Sequence, residues 1–202
     1  KGGQYMYAQT YIYMFLSNIV KKGLGFLREI ILAFFFGSSI MYANYLLLKT
    51  VSDFFSQLTF GNALQANLMP KFAKLYRREA SVDLSNVFDF SKYFSLKLFL
   101  VSQIIQIPMI WYINPERIEI YVVLSVLLGV VMSVNFFNSV FLTILQAKGK
   151  FKQHSVATTL NLSVSTFLLY PFTILFGVFG IIGVVLSRLS GVITLALIYV
   201  KP

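Results

Sequence analysis

Lys21, Lys22, Arg28 and Glu29 place four charges inside a run that is otherwise apolar from about Tyr5 to Phe36. Asn18, Lys22, Gly25 and Glu29 recur at i, i+4, i+7 and i+11, with Lys21 and Arg28 beside them, so a helix would carry them as one polar stripe. A second run holds Tyr45, Lys49, Ser52, Asp53 and Ser56 in a similar stripe, and a later run holds Arg188 near its middle. Facing one another, these stripes would set five cations, Lys21, Lys22, Arg28, Lys49 and Arg188, against two acids, Glu29 and Asp53. Such a surplus suits recognition of an anion, because Arg and Lys give phosphate oxygens charge-assisted hydrogen bonds. Ionisable groups within a bilayer cost roughly 2.5–3.5 kcal/mol each on insertion scales, so they face a cavity or a partner rather than lipid. Two plainer readings stay open. Arg28 with Glu29 or Asp53, and Lys49 with Asp53 at i+4, would only hold helices together. Lys21 and Lys22 would snorkel to headgroups, since Lys22 stands about 22 Å along a helix from Gly37.

The stripes need helices to hold them, and the composition puts those helices in a membrane. The 202 residues are 57% hydrophobic and 12% charged, with a mean hydropathy of +0.76, against roughly 45–50% apolar and 25% charged for soluble domains. The fold class expected is all-α, a polytopic membrane protein of six spans in a single lobe, at about 5–36, 41–66, 88–113, 118–145, 156–176 and 178–200. As one helix the first run would reach ~48 Å, longer than the ~30 Å hydrocarbon core, so it must tilt, bend or protrude. Gly23 and Gly25 are its expected bend points. Pro171 is the expected kink of the fifth span, where an i−4 hydrogen bond is lost. Gly61-Asn62 is a weak point of the second, and Trp111-Tyr112 close the third as an interfacial aromatic pair.

Loop charge orders these spans. The second–third connection carries Lys71, Lys74, Arg77 and Arg78, the fourth–fifth carries Lys148, Lys150 and Lys152, and Lys1 and Lys201 mark the ends. Between them, Gly37-Ser38-Ser39 and the fifth–sixth connection are uncharged, and the third–fourth turn around Asn114-Pro115-Glu116 has one Arg against two Glu. Basic and non-basic ends alternate, so both termini are expected in the cytoplasm. Ending the first span near Val20 would leave only eleven residues from Phe26 to Phe36, too few for another span. The missing initiator Met and the stop just after an apolar run are read as cuts in a longer chain.

Other chemistries find little to stand on. The chain has no Cys and one His, which excludes disulfides, a thiol nucleophile and a thiolate metal site. It has no nucleotide-binding glycine fingerprint, no His/Glu metal cluster and no Ser/His/Asp set, so an enzyme is not expected, and neither is a cofactor or a metal. The net charge of +10 is spread over short loops rather than one patch, so nucleic acid is not an expected partner. His154 reads as a solvated loop histidine, and Asp83, Asp89, Glu116 and Glu119 as solvated faces or caps. Asn135, Asn138 and Asn161 are expected to hydrogen-bond between helices rather than line a cavity.

The run Lys22-Gly23-Leu24-Gly25-Phe26-Leu27-Arg28-Glu29, continuing to Ala33 and Phe36-Gly37, resembles the first-helix signature of the MurJ/MviN lipid II flippases, S-R-x-L-G-F-x-R-D…A…F-G. Lys49, Gly61, Ala63 and Pro70 fall near that family's K…G-A…P positions, and Leu145-Gln146-Ala147 with Phe151 and Asn161 looks like its fourth-to-fifth connection. The wider group is the multidrug/oligosaccharidyl-lipid/polysaccharide (MOP) flippase superfamily, whose transporters set two six-helix lobes around a central cavity. The resemblance implies the N-terminal lobe of a bacterial inner-membrane flippase, which flips a lipid-linked oligosaccharide by alternating access. Its partners would be that substrate, membrane lipids, and a missing C-terminal lobe or a second copy. Arg28 matches a cavity arginine of the signature; Lys22 stands where another arginine is usual and Glu29 replaces the Asp. Paired arginines of the second helix have no counterpart at Phe55, Ser56 and Gln57, nor does an acidic residue among Tyr42, Ala43 and Asn44. These departures widen the implied cargo from lipid II to related polyprenyl-diphosphate-linked glycans. Lys21, Lys22, Arg28, Lys49 and Arg188 would meet the diphosphate, with Glu29, Asp53 and Asn18 as polar lining. A MATE-type exporter of cationic drugs would need more acids in the cavity, and a non-transporting scaffold or assembly protein would pair its charges off.

Overall fold

The computed structural model describes residues 2–60, 70, 74, 85–113, 117–176 and 179–199, with side chains from residue 12 onward through most of them. All regular structure there is helical: α1 (Gly2–Phe36), α2 (Ile40–Phe60), α3 (Ser85–Ile113), α4 (Ile118–Ala147), α5 (Phe151–Phe167), α6 (Leu169–Phe176) and α7 (Gly180–Tyr199). Gly61-Asn62 and Ala63 with the expected end of the second span, Lys71, Arg77 and Arg78 of the basic connection, Asp83, the Asn114-Pro115-Glu116 turn, and Lys1 and Lys201 lie outside the described residues.

Among the described residues, four stretches are long and apolar enough to cross a membrane: Val87–Ile113, Ile118–Ala147, Phe151–Phe176 and Gly180–Leu197. The described part of the chain is thus all-helical, with four candidate membrane spans. The other two expected runs form helices of 35 and 21 residues. They stay below that threshold because Lys21, Lys22, Arg28 and Glu29 interrupt α1, and Lys49 and Asp53, among further polar groups, interrupt α2.

Local chemistry sets the ends. Ser39 caps α2 by accepting the Tyr42 N–H at 3.3 Å. After α4 the chain turns through Gly149 at φ +72, with Gly149 N donating to Gln146 O and Lys150 N to Leu145 O, both at 2.9 Å. This Schellman turn satisfies two terminal carbonyls and needs a residue free to enter the left-handed region. It launches α5 at Phe151, five residues before the expected start at 156, so His154 is helical rather than in a loop. Before Pro171 the helix is interrupted at Leu168, three residues upstream, and resumes as α6. At Gly23 and Gly25, by contrast, α1 is continuous.

Side-chain contacts fix the direction of each helix. α1 and α5 are parallel, since Ser17 meets Thr159, Arg28 meets Ser165 and Phe35 meets Tyr170. α2 and α4 are also parallel, from Asn44 with Tyr121 to Phe55 against the Phe136 cluster. α3 is antiparallel to α4, through Gln103 with Ser125 and Ser133 with the Ser95 carbonyl. α7 is antiparallel to α5 and α6, where Gly191 lies against Asn161 and Gly183 against the Phe172 carbonyl. With the tight turn at Gly37 reversing the chain between α1 and α2, α1, α3 and α5–α6 run one way and α2, α4 and α7 the other.

The interior is apolar around Tyr45, Leu48, Leu124, Leu128, Val184 and Val185, with a second cluster around Leu98, Met132, Phe136 and Ile144. A polar knot crosses it: fully buried Gln106 donates to Ser52 Oγ at 2.7 Å and accepts from Ser125 Oγ at 2.6 Å. In hydrocarbon such groups have no water to turn to, and Gln106, Ser52 and Ser125 bond to one another instead.

Candidate functional site: a cationic cavity among five helices

Arg28 is 8% exposed, its guanidinium reaching from α1 to side chain and backbone of α5 and α7. Nη1 donates to Ser165 Oγ at 3.3 Å and Nη2 to the Val184 carbonyl at 3.4 Å. Both acceptors are neutral, so these bonds orient the guanidinium without cancelling its charge, and three of its five N–H donors are not used by them.

Lys49 and Arg188 reach the same place from α2 and α7. Asp53 stands between them, Oδ2 at 3.7 Å from Lys49 Nζ and Oδ1 at 3.8 Å from Arg188 Nη2. These separations are ion pairs but too long for hydrogen bonds. One carboxylate is therefore shared loosely by two cations. Arg28 has no carboxylate at ion-pair distance among the described residues, so of the pairs in the plainer reading Arg28–Glu29 and Arg28–Asp53 do not form, whereas Lys49–Asp53 does.

Arg28, Glu29, Lys49, Asn135, Asn161, Ser165 and Arg188 line a cavity of about 220 Å³, room for about seven waters at ~30 Å³ each. Its lining holds three cations and one acid, and adding Asp53 at the rim still leaves one positive charge in excess. Asn135, Asn161 and Ser165 add neutral donors and acceptors. No group of three or more His, Cys, Asp or Glu occurs among the described residues. The excess of cations, with neutral donors beside them, suits an anion.

The stripe on α1 divides. Arg28 and Glu29 enter this cavity, whereas Asn18, Lys21 and Lys22 line a different opening with Phe15 and Ile19. Seven residues of helix separate Lys22 from Glu29, about 10 Å along the axis, more than one small cavity spans. Lys21 donates instead to Thr158 Oγ1 at 3.4 Å. Of the three asparagines, Asn138 bridges helices as expected, donating to the Val192 carbonyl at 2.9 Å, but Asn135 and Asn161 line the cavity. Ser165 was not singled out from sequence; its signal is its place one turn after Asn161 on the same face of α5. His154 Nε2 lies 3.0 Å from Gln146 Nε2, the helical pair that closes the α4–α5 turn.

No family model, curated protein or solved structure matches the chain.

Proposed function

We propose that this chain is the N-terminal six-span lobe of a bacterial inner-membrane flippase for a polyprenyl-diphosphate-linked saccharide, lipid II or a related envelope precursor. α1 and α2 would be its first two spans, with both ends of the chain cytoplasmic. The observation that carries the reading is the cavity of Arg28, Lys49 and Arg188, whose cations outnumber the acids around it. A diphosphate offers several anionic oxygens, and a guanidinium with free N–H groups binds such oxygens in a fork that Lys cannot reproduce. The alternating helix directions agree with this topology, because each successive span must reverse. The lobe would rock against a C-terminal lobe or a second copy, exposing the cavity to each leaflet in turn.

Arg28→Ala in the full-length protein should abolish complementation of a flippase-depleted strain while membrane abundance is unchanged. It should also weaken binding of a soluble prenyl-diphosphate analogue roughly 10- to 100-fold, since a hydrogen bond to a charged group is worth about 1.5–3 kcal/mol. Normal complementation by this variant would remove Arg28 from the site.

One observation favours a second reading, a non-transporting scaffold: Asp53 is shared by Lys49 and Arg188, and Arg28 rests on Ser165 and Val184. A scaffold would bind the diphosphate analogue no better than inorganic sulfate. A drug exporter of the MATE type has less support, because Glu29 is the single acid lining the cavity.

A further inference from the structure

A larger groove, of about 710 Å³, lies along the seam between α1 and α5, and the transport reading makes no use of it. Leu16 and Val20 form one wall; Val156, Leu160, Val164 and Phe167 form the other. Two of its hydroxyls meet each other, Ser17 Oγ lying 2.7 Å from Thr159 Oγ1 and donating to the Ser155 carbonyl at 3.3 Å, and the lining is otherwise mostly apolar. What remains accessible is hydrocarbon. From Lys152 to Leu168, where the helix breaks, the α5 wall extends about 24 Å, most of the ~30 Å apolar thickness of a bilayer. The wall belongs to the candidate span Phe151–Phe176, so the groove faces acyl chains rather than water.

One end is cationic. Lys152 lines the groove there, its Nζ 5.0 Å over the Tyr13 ring. It has no carboxylate at ion-pair distance among the described residues. Lys152 follows directly on the basic α4–α5 turn, so it sits at the level of headgroups, with the apolar groove leading away from it toward the bilayer interior.

We propose that this groove is a binding site for an anionic phospholipid, one acyl chain lying between α1 and α5 with its phosphate at Lys152. Charge selects this occupant. A helix from a second copy would bury Lys152 against apolar surface, and a zwitterionic lipid would bring its own cation to that lysine. Basic pockets between spans are suited to anionic headgroups in this way.

The test is native mass spectrometry of the full-length protein released from nanodiscs of equal phosphatidylglycerol and phosphatidylcholine. Wild type should retain phosphatidylglycerol in preference. Lys152→Gln should reduce that preference roughly fivefold, the weight of one basic residue beside an anionic surface. Val156→Trp, which fills the groove and leaves Lys152 in place, should abolish retention of either lipid, with melting temperature as the control for folding. Equal retention of the two lipids would overturn the proposal. So would retention untouched by both variants, or a lipid-free dimer that Val156→Trp dissociates.

Discussion

A guanidinium that donates only to neutral acceptors keeps its full charge available, and Arg28 is in that position while Lys49 and Arg188 share Asp53. Asp53 thus sets how positive the cavity is. Asp53→Asn should strengthen binding of the prenyl-diphosphate analogue several-fold in titration calorimetry and change stability by no more than about 1 kcal/mol, because loose, partly exposed ion pairs contribute little. Gln106 is the opposite case, wholly enclosed and satisfied by Ser52 and Ser125. Gln106→Leu should lower unfolding stability in detergent by about 0.6–1.7 kcal/mol, the range for hydrogen bonds between spans, without altering ligand affinity. At this scale the sequence was informative where charge interrupts apolar runs: Arg28, Glu29, Lys49 and Arg188 could be named from type and spacing alone. Helical periodicity says which face a residue is on, but not how deep a cavity runs, so it could not separate Lys22 from Arg28. Nor does it mark Ser165, since a serine in a span is unremarkable until a guanidinium points at it.

The helices themselves were legible to within a few residues wherever a run of apolar residues ends in charge or glycine, as at Ile118 and Phe36. The start of α5 was not, because Lys152, Gln153 and His154 look like loop by hydropathy while the Gly149 turn places them in the helix. Proline and glycine also behaved differently. The helix breaks just before Pro171, whose ring cannot donate, while α1 runs unbroken through Gly23 and Gly25. A Cβ at either glycine would meet nothing within 4 Å. Gly23→Ala with Gly25→Ala should therefore raise thermal stability, by about 1 kcal/mol per site for a helix interior. If α1 must bend during transport, the same double variant will lose complementation even as its melting point rises. Gly191 shows the reverse constraint: a Cβ there would lie 2.6 Å from Asn161 Oδ1. Gly191→Ala should separate α5 from α7 and lower stability by about 1–3 kcal/mol, as overpacking does.

For the molecule as a whole, the alternation of helix directions makes the placement of the two tight turns a measurable quantity. Ser38 and Lys150 should lie on opposite sides of the membrane, and the cysteine-free sequence makes the check direct. Ser38→Cys and Lys150→Cys should react with an impermeant maleimide from opposite faces of oriented vesicles; labelling of both from one face would break the topology. The parallel pairing of α1 with α5 also has a meaning in time. The acceptors of Arg28, Ser165 and Val184, come 137 and 156 residues later in the chain. At about 5–20 residues per second, a ribosome makes them roughly 7–30 s after Arg28 itself. For that interval Arg28 has neither of its acceptors, and the insertion machinery must shelter the first helix until α5 and α7 emerge.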